Sequence, residues 1–149
     1  MGALSGLRPA VPEDSEFCYE LHRAALGPYV AAVWGWDETV QREFHERAFD
    51  PAHTQIVTVD GRDVGVLVVE RRPTEIYLGL IEIHPDDQDR GIGGALIREL
   101  LAEAAGRGLP MALEVLAVNH RAYALYKRLG FREVGRHGED GIKIRMRSP

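Results

Sequence analysis

Gln88-Asp89-Arg90-Gly91-Ile92-Gly93-Gly94 is the stretch on which the reading of this chain turns. It follows a strand-like run, Glu75 to Ile83, closed by His84-Pro85. It leads directly into Leu96, Ile97, Leu100, Leu101, Ala104 and Ala105, which repeat at helical spacing until Gly106, Gly108 and Pro110 stop the helix. Met111 to Leu116 then reads as a buried strand, so the segment is the first turn of a strand-helix-strand unit running from Glu75 to Leu116. Such a crossover requires parallel strands, and α/β folds place ligands near the ends of parallel strands. Glycines let the backbone approach a ligand closely, and the unpaired N–H groups at the start of the following helix point toward an anion, for which a pyrophosphate is the natural guest. A dinucleotide fingerprint needs a glycine or alanine where Leu96 stands, and a Walker loop needs Gly-Lys-Ser/Thr after its second glycine; neither fits.

Upstream of this unit, Leu7 to Ala10 suggests a short first strand. Pro12-Glu13-Asp14 opens a helix predicted to run from about Asp14 to Ala25, with Phe17, Leu21 and Ala25 spaced four apart beside Cys18, and Gly27-Pro28 ending it. Tyr29 to Asp37, which holds both tryptophans, is the connection to a second helix at roughly Glu38 to Ala48. Gln55 to Val59 and Val64 to Glu70 form a hairpin, with Asp60-Gly61 supplying the positive φ angles of a tight turn. Downstream, Asn119 caps a helix whose face is Ala122, Leu125, Tyr126 and Leu129, and Gly130 suits the left-handed closing position. Arg132 to Arg136 and Ile142 to Met146 are the last strands, joined through Gly138-Glu139-Asp140-Gly141. The order predicts an α/β chain: one mixed, mostly antiparallel sheet with a central β-α-β crossover and helices on both faces, in a single domain over residues 1–149.

Bulk properties narrow the function. The 149 residues are 45% apolar, enough for one normal core, and 18 Lys plus Arg against 23 Asp plus Glu give a net charge of −5. Neither nucleic acid nor an anionic membrane is therefore an expected partner. The longest aliphatic stretch, Val64 to Val69, is far below the roughly 20 residues of a membrane helix. Met1 to Ser5 carries neither a basic n-region nor an apolar h-region, and Gly6 takes the Ser/Thr position of a myristoylation signal, so a soluble protein is expected. Cys18 is the only cysteine, which excludes an intrachain disulfide and agrees with a cytoplasmic location.

Gln88-x-x-Gly91-x-Gly93, preceded by Ile83-His84-Pro85, resembles motif A of the GNAT N-acetyltransferases, whose Gln/Arg-x-x-Gly-x-Gly/Ala loop holds the pyrophosphate of CoA. Asn119-x-x-Ala122-x-x-Leu125-Tyr126-x-x-Leu129-Gly130-Phe131 is similar to that superfamily's motif B, at the expected distance after Leu113-Glu114-Val115. The resemblance extends from Leu7 to the final strand and departs at Asp87, often aromatic in the family, and Asp89, often glycine or asparagine. It implies an acyl-CoA N-acyltransferase fold, acetyl-CoA as co-substrate with no metal, and transfer of acetyl to a primary amine of a small molecule or peptide by direct attack in a ternary complex. It also implies a cofactor set of Ile81, Ile83, Gln88, Asp89, Arg90, Gly91, Ile92, Gly93, Gly94, Asn119, Ala122 and Tyr126.

Transfer to an amine needs the amine neutral, the electrophile close, and a proton for the departing thiolate. By the resemblance Tyr126 serves the CoA sulfur. For the base there are two carboxylates that interrupt apolar strands: Glu82, within Leu80-Ile81-x-Ile83, and Glu114, within Leu113-x-Val115-Leu116. Glu114 resembles in position the base of ribosomal-protein N-terminal acetyltransferases, while several superfamily members carry a carboxylate or histidine where this chain has Gly79; a water chain ending on either glutamate would serve equally. His84, directly before Pro85, reads as a turn residue. By analogy with the family the connection from Tyr29 to Asp37 borders the acceptor, with Tyr29, Trp34 and Trp36 as an aromatic wall and Asp37 and Glu38 attracting a cation; the tryptophans equally suit a sheet-edge cover or a homodimer contact. The competing readings are an N-terminal protein acetyltransferase and a CoA-binding regulatory module without turnover.

Overall fold

The computed structural model describes residues 5–149; the reading of Met1 to Ser5 lies, apart from the Ser5 backbone, outside them. In chain order the strands and helices are β1 (Ser5–Pro9), α1 (Ser15–Trp34), α2 (Glu38–Ala48), β2 (Thr54–Val59), β3 (Arg62–Arg71), β4 (Ile76–Ile83), α3 (Ile92–Gly106), β5 (Met111–Leu116), α4 (His120–Arg128), β6 (Arg132–His137) and β7 (Lys143–Arg147). Seven strands among the described residues form one sheet in the order β1-β2-β3-β4-β5-β7-β6. Strand pairs β1–β2, β2–β3, β5–β7 and β6–β7 are antiparallel, and β4–β5 is the parallel pair joined by α3. The mixed sheet and its central crossover are those expected. Among the described residues no helix is long and apolar enough to cross a membrane.

Contacts divide the chain into two compact units, residues 1–68 with 80–92, and residues 69–79 with 93–149. In the first, Ala10, Cys18, Leu21, Ile56 and Val66 form a core against which Phe17, Phe49 and Leu80 pack. The β2–β3 hairpin turns at Asp60 (φ 51°) and Gly61 (φ 81°), the two left-handed residues that Asp-Gly was expected to supply. Gly65 sits where β3 passes β4: a Cβ there would lie 2.6 Å from the Glu82 carbonyl oxygen and 2.8 Å from Ile83 Cδ1. Only glycine permits that approach.

Helix α1 corrects the sequence reading. It does not end at Gly27-Pro28 but runs for 20 residues to Trp34, with Pro28 inside it, and stops at Gly35 (φ 77°). A proline in a helix interior typically costs about 3 kcal/mol through a lost N–H and a clash one turn back. Here Gly27 and Val30 on either side are buried while Pro28 is exposed, so packing on the inner side holds a helix that local propensity would have ended. Tyr29 to Trp34 is consequently helical, and only residues 35–37 link α1 to α2.

In the second unit Ile97, Met111, Leu113, Phe131 and Met146 are at most 1% exposed. The β4–β5 register runs from Ile76↔Met111 to Leu78↔Leu113, and Ile76 N–H donates to the Pro110 carbonyl at 3.0 Å. On the other side of β5, Ala112 to Leu116 pair with β7. Asn119 caps α4 as expected, its Oδ1 accepting from Ala122 N–H at 3.1 Å, and Gly130 (φ 97°) turns the chain so that Phe131 N–H reaches the Tyr126 carbonyl at 3.0 Å.

Candidate active site

Glu82 is the most constrained polar residue of the first unit. Period-two alternation in β4 turns it inward, and its side chain is 1% exposed. A carboxylate so placed must be paired, and its Oε2 lies 2.7 Å from Nδ1 of His22. Its Oε1 is buried with no partner. His22 comes from α1, four residues after the buried Cys18, and keeps 31% of its side chain exposed. Burial lowers the proton affinity of the imidazole, but the hydrogen bond and charge of Glu82 more than offset it, and the His22 pKa is raised. His22 was not anticipated. The signal was available: a histidine three and four residues from Tyr19 and Cys18 falls on the buried face of α1, and Glu82 interrupts an apolar strand. Two polar residues in apolar settings need one another.

Of the aromatic residues expected at the acceptor, Trp36 reaches this pair. Its ring centroid is 6.1 Å from that of His22 and 6.4 Å from that of Tyr19, and its indole N–H donates to Glu38 at 3.0 Å. Trp34 is 57% exposed at the last turn of α1, and Tyr29 is half-buried on the same helix. Asp37 caps α2 by accepting from Val40 N–H, and Glu38 is engaged by Trp36 and Arg42, so neither is an open site for a cation. Cys18 is buried, and desolvation with the nearby Asp14 and Glu82 carboxylates pushes its thiol up to about 11, which keeps it neutral and a poor nucleophile.

The glycine segment begins in a short 3-10 turn at Pro85–Asp87, where His84 Nδ1 accepts from Asp86 N–H, the turn role expected of it. The Gln88 amide donates to the Ile83 carbonyl at 2.9 Å and latches the loop to the end of β4. Asp87 is buried, with Arg62 and Arg90 each 3.5 Å from its Oδ1, so this carboxylate is screened by two guanidiniums. Asp89 (φ 64°) and Gly91 (φ 76°) are both left-handed, and a Cβ on Gly91 would meet nothing within 4 Å, leaving the backbone there approachable. The first turn of α3, from Ile92 through Gly93 and Gly94, carries no acidic residue, and amide dipoles at a helix start favour an anion.

In the second unit Tyr126 is 8% exposed and packs edge-on to Phe131, the ring centroids 5.9 Å apart. Desolvation pushes its phenol up to about 12, so it holds its proton at neutral pH and is able to donate it. Glu114 points out of β5 at 31% side-chain exposure, with its Oε1 3.1 Å from His137 Nε2 and Arg145 opposite on β7. It is a surface-paired carboxylate, in contrast to Glu82.

The fold and motifs agree with known proteins. The sequence profile of the Acetyltransferase (GNAT) family matches residues 15–131, and the chain belongs to that family. It is 39% identical over 100 residues to the mycothiol acetyltransferase of Streptomyces coelicolor, covering 61% of this chain and 32% of that protein. It is 38% identical over 78 residues to the ribosomal protein bS18-alanine N-acetyltransferase of Salmonella typhimurium, 52% of this chain and 53% of that one. The chain thus spans about a third to a half of these curated relatives. The PaiA N-acetyltransferase of Thermoplasma acidophilum, solved in complex with coenzyme A, shares the fold at a TM-score of 0.75 and 16% identity, over 97% of this chain and 98% of that one.

Proposed function

We propose that the chain is one N-acetyltransferase domain that moves acetyl from acetyl-CoA to a primary amine by direct attack. The observation that carries this reading is Glu82: a buried carboxylate with one oxygen held by His22 and the other unpartnered, in a chain of the GNAT family. A free carboxylate oxygen in an apolar setting is a ready acceptor for the proton of an incoming amine. In the proposed step the amine nitrogen attacks the thioester carbonyl carbon and the C–N bond forms. The C–S bond breaks, Glu82 receives the proton lost by nitrogen, and the departing thiolate takes the proton of Tyr126. The neutral, buried thiol of Cys18 supports direct attack over a cysteinyl intermediate.

For the co-substrate, the left-handed backbone at Asp89 and Gly91 and the start of α3 are the proposed pyrophosphate cradle, with Arg90 adding charge and Gln88 bracing the loop. The acceptor is proposed to be an amine at a protein or peptide N-terminus. This finer reading is supported by the 38% identity to a bS18-alanine N-acetyltransferase over half the chain. Between the two glutamates, burial and the unpartnered oxygen favour Glu82 as the base over the surface-paired Glu114.

Glu82→Gln tests the assignment, since it removes the base and leaves the volume. Acetyl transfer should fall by roughly 10² to 10⁴, the usual worth of general-base assistance, while acetyl-CoA affinity measured by calorimetry stays within about threefold. A variant that turns over like the wild type would move the base to Glu114 or to another group.

A further inference from the structure

We infer that His22 is a positioning residue for Glu82: its Nδ1–H, bonded to Oε2, locks the buried carboxylate so that Oε1 alone is left to take the hydrogen of the acceptor amine. The inference rests on the acetyltransferase reading of the same carboxylate and adds to it a residue that neither motif contains. Three observations carry it. Glu82 has no freedom of its own, because β3 lies against its main chain at Gly65 and its side chain is 1% exposed. Its two oxygens are unequal, one bonded at 2.7 Å and one buried with no partner. The imidazole that makes them unequal is itself held, between its own helix and the ring of Trp36 at 6.1 Å.

Against an ionised carboxylate, the imidazole nitrogen at Oε2 donates whether the ring is neutral or cationic, so the clamp persists through the titration of His22. What changes is charge: a cationic His22 forms an ion pair with Glu82, whereas a neutral one holds it by the hydrogen bond alone. Two neighbouring groups on α1 are held in their neutral forms near neutral pH. On α1 the Cys18 thiol is held at about 11, and burial followed by the Glu38 carboxylate raises the Tyr19 phenol. From the α1–α2 link Trp36 presents an uncharged ring, and the Glu38 carboxylate behind its indole N–H is shared with Arg23 and Arg42.

The test combines NMR titration of the His22 imidazole with kcat/KM against pH, using acetyl-CoA and an alanine-initiated peptide as probe. Glu82→Gln should lower the His22 midpoint, because burial is then unopposed. His22→Leu should lose on the order of ten- to a hundredfold in kcat, a share of what a general base supplies, with KM for acetyl-CoA within about threefold. His22→Asn, which keeps an N–H near the Nδ1 position and carries no charge, should recover most of kcat. Equal His22 midpoints with and without Glu82 would overturn the inference. So would an Asn variant as slow as the Leu variant, with both retaining the wild-type pH profile. If the wild type transfers nothing to the peptide, the peptide reading fails by itself, and the NMR comparison still decides whether His22 and Glu82 act as a pair.

Discussion

Tyr126 and Glu82 are both almost wholly buried, yet burial does opposite work on them. The phenol is stabilised in its neutral form, with a pKa pushed up to about 12 by desolvation, and so keeps its proton at neutral pH. The carboxylate is paired on one side with His22, and its other oxygen is buried with no hydrogen-bond partner. Tyr126→Phe retains the ring contact with Phe131 and removes only the hydroxyl. Acetyl transfer should then drop by roughly 10² to 10⁴, whereas the loss of one ground-state hydrogen bond corresponds to about 1 kcal/mol. The same variant has a stability signature. Between the ordinary tyrosine value of 10 and about 12 the folded chain keeps the proton and the unfolded chain loses it, so stability falls as pH rises through that window. Tyr126→Phe should show a shallower fall there, by roughly 2 to 3 kcal/mol, in urea midpoints taken at successive pH values. Parallel curves for the two proteins would mean that the phenol titrates normally. Tyr126 was visible in the sequence because it sits in a motif. His22 was overlooked because it belongs to no motif, and its pairing with Glu82 forms only once α1 and β4 are packed together.

At the scale of elements, what sequence conveyed well was local chemistry. Asp60-Gly61 made the expected turn, Asn119 the expected cap, and the glycine segment opened α3 where the periodicity placed it. What it conveyed poorly was any place where packing overrides local preference. Gly27-Pro28 reads as a stop, yet α1 continues to Trp34 because Gly27 and Val30 are buried, so Tyr29 and Trp34 of the wall expected from a loop lie in the last turns of a helix. Gly65 carries the same lesson in reverse. Nothing in Val64-Gly65-Val66 distinguishes the glycine from strand filler, but β3 and β4 approach so closely there that a methyl group would lie 2.6 Å from a main-chain oxygen. Gly65→Ala should therefore cost about 3 kcal/mol or more, well above the typical single substitution, and should disturb the Glu82 carboxylate that β4 carries at that point. Denaturant unfolding checks this; a loss within about 0.5 kcal/mol would show that the strands separate easily.

At the scale of the whole molecule, family membership rests on agreement among levels: strand order, the glycine-led crossover, and the two motifs. The acceptor was the least legible part, since an amine is recognised by shape and a few polar contacts rather than by a motif. The central claim is that these pieces together perform acetyl transfer. The most direct test is to incubate the wild-type chain with acetyl-CoA and an alanine-initiated peptide, measuring free thiol and the intact mass of the peptide in the same samples. The account predicts one thiol released for each acetyl group gained by the peptide's N-terminal amine, with both signals lost in Glu82→Gln. Thiol release that does not depend on the peptide, or binding of acetyl-CoA with no acetylated product across a panel of peptide and small-molecule amines, would contradict it.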